Sequence, residues 1–262
     1  MKALLAALAF LAAASFAQAG ITTRNVTYPA GNITAKGFLA IPDGKGKHPG
    51  VLVVHEFWGL NDYARDRAKM LAKLGYVALA VDMYGDGKVA NHPKDAMAFM
   101  NAVISDMPQE KERFLAAMKF LQSQPEVEPA KIAAIGYCFG GGVVLQMAAD
   151  DVPGLLAVAS FHGSLGTKFT PGVKPSAKIL VCHGGADSFA TPQIVAEFQK
   201  NFKATGADFT FVSYPGAKHA FSNPGATKLG EEFGLDIAYD ANADKKSWAA
   251  LQEFLKAAFA AQ

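Results

Sequence analysis

Three residues of this chain have the types and spacing needed for nucleophilic catalysis: Cys138, Asp187 and His219. Cys138 lies in Gly136-Tyr137-Cys138-Phe139-Gly140-Gly141-Gly142, between an apolar run, Lys131 to Ile135, and a helical pattern, Val143 to Ala149. Gly-x-Cys-x-Gly between a strand and a helix is the pattern of a nucleophile elbow, with cysteine in place of serine. Side chains at 136 and 140 would collide with the neighbouring strand and helix, which explains the glycines. The attacking species would be the thiolate, which a helix N-terminus beneath it favours. His219 would hold or take the thiol proton and later activate water, and Asp187 would orient its ring. The oxyanion formed on attack needs preorganised N–H donors. Phe139, next after the nucleophile, and Phe57, in the loop after an earlier strand, are the candidates. Taken singly, each feature has a plainer explanation: a packed glycine turn, a capping carboxylate, a surface histidine. Their joint placement is what favours catalysis.

That placement depends on the elements around them. Thr22 to Tyr28 and Ile33 to Ile41 alternate apolar and polar residues about Pro29-Ala30-Gly31-Asn32, a hairpin signal. Gly50 to His55 is a continuous β-branched run of the kind buried on both faces of a parallel sheet. Asn61 or Asp62 caps a helix to about Leu74, and Tyr76 to Asp82 is a further strand. Helices are predicted at Pro93 to Asp106, Gln109 to Gln124, Thr191 to Ala204 and Ala243 to Phe259, and strands at Leu155 to Phe161, Ala177 to His183 and Asp208 to Tyr214. This alternation predicts an α/β fold with a mostly parallel, doubly wound sheet flanked by helices. In such sheets ligands bind beyond the carboxyl ends of the strands, where Cys138, Asp187 and His219 all fall. Nucleophile, acid, histidine is the chain order of an α/β-hydrolase.

Composition sets the frame. The 262 residues are 51% hydrophobic and 18% charged, consistent with one well-cored domain. A net charge of +2 gives no reason to expect nucleic acid or a membrane surface as partner. Lys2, the apolar stretch Ala3 to Phe16 and Ala17-Gln18-Ala19 read as a signal peptide cut after Ala19, leaving residues 20–262 as one domain in the periplasm or outside the cell. The run is too short for a membrane anchor. The two cysteines could bridge, but a bridge would silence the elbow, so both are expected free.

The chain resembles the dienelactone hydrolase family, cysteine hydrolases of α/β-hydrolase fold. The matching segments are His55-Glu56-Phe57-Trp58-Gly59-Leu60-Asn61, Val81 to Gly85, Gly136 to Gly141, His183 to Asp187 and Tyr214 to Phe221. The resemblance implies Cys138, Asp187 and His219 as triad, with Phe57 and Phe139 as oxyanion donors. It also implies a part for Glu56, as the carboxylate beside the thiol that helps convert it to thiolate when substrate arrives. Burial would raise the pKa of such a group and suit it as a base. One departure stands out. Members acting on dienelactone carry two arginines that bind the substrate carboxylate; those places read Asp86 and Asn223 here, and no arginine follows Arg113. A lysine such as Lys88 or Lys218 does not reproduce the bidentate geometry.

Trp58, Tyr84, Phe221 and Asn223 are expected to line the substrate pocket, and Ser222 to Asp244, without regular period, to cover part of the cleft as a loop. His55, His162 and His183 lack metal-ligand spacing and read as structural, so no metal or cofactor is implied. The expectation is a monomeric hydrolase of small esters or lactones, acting through a thioester. A thioesterase or general carboxylesterase of the same mechanism is the alternative within enzymes. A binding protein that kept the fold is the alternative outside them.

Overall fold

The computed structural model describes residues 20–260. The leader read at residues 1–19 lies outside the described residues. An antiparallel hairpin, β1 (Ile21–Ala30) and β2 (Ile33–Pro42), opens the fold. It turns on Gly31-Asn32 alone, so the strands run further than the predicted four-residue turn allows. Gly31 takes a positive φ of 62°, which glycine adopts without steric cost. Pro29 is tolerated because β1 is an edge strand, where a missing N–H breaks no central ladder.

Six parallel strands follow: β3 (His48–Val54), β4 (Val77–Val81), β5 (Val127–Tyr137), β6 (Leu155–Phe161), β7 (Lys178–Gly184) and β8 (Phe209–Tyr214). The sheet order is β1-β2-β4-β3-β5-β6-β7-β8, with β2 antiparallel to both neighbours. The helices are α1 (Asp62–Lys73), α2 (Pro93–Ile104), α3 (Met107–Gln122), α4 (Phe139–Ala149), α5 (Pro192–Thr205), α6 (Ala226–Phe233) and α7 (Ala241–Ala260).

Alternation along each central strand feeds two cores. Leu52 and Val54 face α3, α4 and α5 through Phe114, Met147 and Phe202. Val51 and Val53 face α1 and α7 through Leu71, Leu251 and Leu255. Each such side chain, fully withdrawn from water, contributes about 1.5–3 kcal/mol. The central strands therefore have no wet face, which is why they read as unbroken apolar runs.

Helix starts follow their caps. Asn61 accepts from Ala64 N–H at the start of α1, and Thr191 accepts from Ile194 N–H ahead of Pro192 in α5. The stretch Ser222 to Asp244, expected as a loop, contains α6. This helix has glycine at its N-cap and at its C-cap, no capping side chain, and Gly230 inside it. Gly230 is required by a close approach: a Cβ there would lie 2.6 Å from the Ile237 carbonyl.

Candidate active site

Cys138 stands between β5 and α4 with φ 52° and ψ −115°, a strained conformation for a residue with a side chain. The surrounding glycines hold it there. A Cβ at Gly136 would come within 2.0 Å of the Gly140 carbonyl, and one at Gly140 within 2.3 Å of the Val54 carbonyl. Phe161 O accepts the Cys138 N–H at 3.0 Å, tying the turn to β6. The thiol thus sits over the first turn of α4, half-buried, at the edge of a cavity of about 840 Å³.

Asp187 follows β7 and His219 follows β8. Gly184 lets the two loops touch, since a Cβ there would lie 2.6 Å from the Ala217 carbonyl. Asp187 Oδ2 and His219 Nδ1 are 2.8 Å apart, while Asp187 Oδ1 accepts from Phe189 N–H at 2.9 Å. Cys138 and His219 line the same cavity, near enough for the sulfur to act on the charge of the ring. Burial lowers the His219 pKa, but the interactions with Cys138 and Asp187 outweigh it and raise it to about 10, which favours a protonated ring. Ala220, at φ 59°, turns the chain sharply after the histidine. A bridge between His219 and Ile237 and a bond from Ala238 N–H to His219 O fix the loop.

Glu56, only 2% exposed, lines the same cavity. Asn223 Nδ2 donates to its Oε2 at 2.6 Å, while Oε1 has no partner among the described residues. Burial raises its pKa from 4.5 to about 7, against the downward pull of Asn223, His219 and Arg67. The adjoining peptide is held by its carbonyl. His55 Nδ1 donates to Glu56 O at 2.6 Å, and Gly59 N–H donates to the same oxygen at 3.1 Å. Tyr84 OH donates to Phe57 O at 2.9 Å. The Phe57 N–H is thereby fixed in direction, and neither it nor the Phe139 N–H donates to a loop or cap acceptor among the described residues.

Of the residues expected to line the pocket, Trp58 does so; Tyr84, Phe221 and Asn223 lie behind the wall. Tyr84 is used up on the Phe57 carbonyl, Phe221 packs against His162 and Tyr214, and Asn223 holds Glu56. The three remaining strand-end histidines have structural partners. Burial lowers the His55 pKa to about 4, leaving it neutral between Glu56 O and Met83 N–H. His162 Nε2 lies 2.8 Å from Ser222 Oγ, and His183 packs on Phe211. Among the described residues no group of three or more His, Cys, Asp or Glu is arranged to hold a metal. Both cysteines are free. They cannot pair without unravelling the sheet. Tyr137, beside Cys138, registers with Phe161 and Phe161 with Cys182, so the two cysteine backbones are about two strand spacings apart, roughly 10 Å, beyond the ~7 Å Cα limit of a disulfide.

Other contributors went unread in the sequence. Arg67 of α1, buried at 4% exposure, donates to Ser222 O and to Asp244 Oδ1 at 2.6 Å, bolting the segment after His219 to α1 and α7. A charge on the apolar face of α1, beside Ala64, Ala68 and Leu71, was the available signal. Asp82 accepts four backbone N–H groups, from Lys36, Tyr84, Gly85 and Gly87, at 2.8–3.0 Å. It shapes the loop that presents Tyr84.

The sheet order and the strand-to-helix elbow define an α/β-hydrolase. Within that class the chain belongs to the dienelactone hydrolase family, whose sequence model matches residues 35–259. It is similar to the crystal structure of a dienelactone hydrolase-like promiscuous phosphotriesterase from metagenomic libraries. The two share 34% identity at a TM-score of 0.83, covering 91% of this chain and 99% of that one. A structure named m3DLH is 32% identical at a TM-score of 0.85, with the same coverage. A Synechocystis protein provisionally named a carboxymethylenebutenolidase is 29% identical over 229 residues, 77% of this chain and 87% of that protein. The family membership makes the chain a carboxylic ester hydrolase.

Proposed function

We propose that the chain hydrolyses uncharged carboxylic esters and lactones through an acyl-thioester on Cys138. The observation that carries this is Cys138 held at φ 52° on the elbow, lining one cavity with a histidine that Asp187 orients at 2.8 Å. In the reaction, the sulfur attacks the carbonyl carbon and the oxyanion takes hydrogen bonds from the Phe57 and Phe139 N–H groups. As the C–O bond breaks, His219 gives its proton to the leaving oxygen. The ring, now neutral, draws a proton from water, which attacks the thioester and releases the acid. Glu56, with a pKa near neutrality, exchanges protons with the thiol before attack.

The preference for uncharged substrates follows from the lining. No arginine lines the cavity among the described residues, and Lys168 is its one lysine. Glu56 rests against an amide, at the place where dienelactone-cleaving members carry an arginine.

The test is hydrolysis of p-nitrophenyl acetate by wild type, by Cys138→Ala and by iodoacetamide-treated wild type. Loss of at least 10³-fold in the last two is expected. Turnover that persists in Cys138→Ala would sink the cysteine mechanism. Export belongs to the same proposal: protein recovered from expressing bacteria should begin at Gly20, and a chain still beginning at Met1 would refute it.

A further inference from the structure

The cavity does not end at the nucleophile. One wall follows a single face of α4 through Gly142, Val143 and Gln146. At 1.5 Å per residue, Gln146 stands about 12 Å from Cys138 along the helix. The facing walls are apolar and flexible: Met97, Met100 and Ile104 from α2, Ile194 and Phe198 from α5. Unbranched thioether side chains adapt their shape to linear guests. Met97, Ile104, Phe189 and Ile194 are exposed large apolar residues of this cavity, a patch that a ligand would cover.

The far end of this arm carries a carboxyl. Glu110, in the first turn of α3, is 5% exposed and lines the cavity, yet its side chain has no hydrogen bond or ion pair among the described residues. Its neighbours are engaged elsewhere: Asp150 accepts from Lys111 at 3.0 Å and from Gln146 at 2.8 Å, and the Gln146 amide also bonds the Lys168 backbone. Burial and Asp150 push the Glu110 pKa up to about 7, and the ammonium of Lys168, an exposed residue, does not offset them. Because Glu110 lines the cavity, a donor carried by a ligand can reach this unpartnered carboxyl.

We propose that this arm is a second substrate subsite, which takes a linear apolar chain of the ester and receives a hydroxyl at the chain's far end on the Glu110 carboxyl. The proposal rests on the hydrolase reading above and names its substrate class: long esters with a hydrogen-bond-donating tip.

The experiment measures kcat/KM for two ester series, p-nitrophenyl alkanoates and alkyl acetates, each lengthened to eight carbons, with p-nitrophenyl acetate as reference. Octanoyl esters and octyl acetates with a terminal hydroxyl or a terminal carboxyl complete the set, and the tip is read in the series that rises. In one series, kcat/KM should rise about threefold per added methylene, and the hydroxylated tip should gain about tenfold over the carboxylated one. Met100→Trp should flatten the rise, read as the ratio of long to short ester within the variant. Glu110→Leu should abolish the preference for the hydroxylated tip, and the isosteric Glu110→Gln should retain part of it. Two flat series alongside Cys138-dependent turnover of the acetate would overturn the subsite alone. So would a preference for the carboxylated tip. Absence of Cys138-dependent turnover with every ester would instead overturn the hydrolase reading, and the subsite with it.

Discussion

Cys138 and Cys182 both follow apolar strand residues near the same edge of the sheet, yet their surroundings differ in every respect that matters to reactivity. Cys182 lies within β7, fully buried, with regular strand pairing on both sides and Tyr214 OH 3.6 Å from its sulfur. Burial pushes its pKa up to about 12. Cys138 has left its strand, is bent to a positive φ and opens on a cavity that it shares with an imidazole oriented by Asp187. In the proposed mechanism the backbone turn beneath Cys138 and the loops opposite it are what make a nucleophile of this thiol and not of Cys182.

The comparison can be broken in several ways. Cys138→Ala should lower kcat/KM for p-nitrophenyl acetate by at least 10³-fold, whereas Cys182→Ala should stay within a few-fold of wild type; equal losses would end the contrast. Asp187→Asn, which leaves His219 without its orienting carboxylate, should cost on the order of 10³-fold in kcat, measured beside an unchanged melting curve. Iodoacetamide should add one carbamidomethyl group to the native protein and a second only in denaturant, as read by mass spectrometry; two rapid additions would mean that Cys182 is reachable.

Smaller effects sharpen the picture. The folded-state pKa of Glu56 is raised, so the stability it permits is complete below about pH 4.5 and is lost as pH rises through about 7. Glu56→Gln should therefore be near neutral at pH 4.5 and stabilising by on the order of 2 kcal/mol at pH 8, checked by urea titration at both values. A gain independent of pH would show that the carboxyl is not the source. Cys182→Ala should cost about 1–2 kcal/mol by leaving a small void in a packed strand layer, with activity retained in the folded fraction.

Residues whose work is set by local chain shape were readable from the sequence. Gly136 and Gly140 flank the elbow because no Cβ fits there: Gly136 abuts the Gly140 carbonyl of its own turn and Gly140 the Val54 carbonyl of the neighbouring strand. The core strands were readable because burial on both faces leaves an unbroken apolar run. Tyr84, Phe221 and Asn223 were placed in the right loops but on the wrong side of the wall. Which way a loop side chain turns is decided by distant partners: the Phe57 carbonyl for Tyr84, the Glu56 carboxyl for Asn223. α6 escaped for a related reason. Its sequence carries no capping side chain and a glycine in mid-helix, so its existence depends on packing against Ile237 and its neighbours.

The bridge between His219 and Ile237 ties that last segment to the proposed triad. Residues 235 and 237 line the cavity, so exchanging the stretch after α6 would be a direct way to reshape the cleft for new substrates. The same exchange would cut the histidine loop loose. On this side of the molecule, substrate range and turnover are not independently adjustable. The opposite wall, built from α2 and α5, carries none of the proposed triad and offers a surface on which selectivity can be rewritten by laboratory evolution without moving that triad.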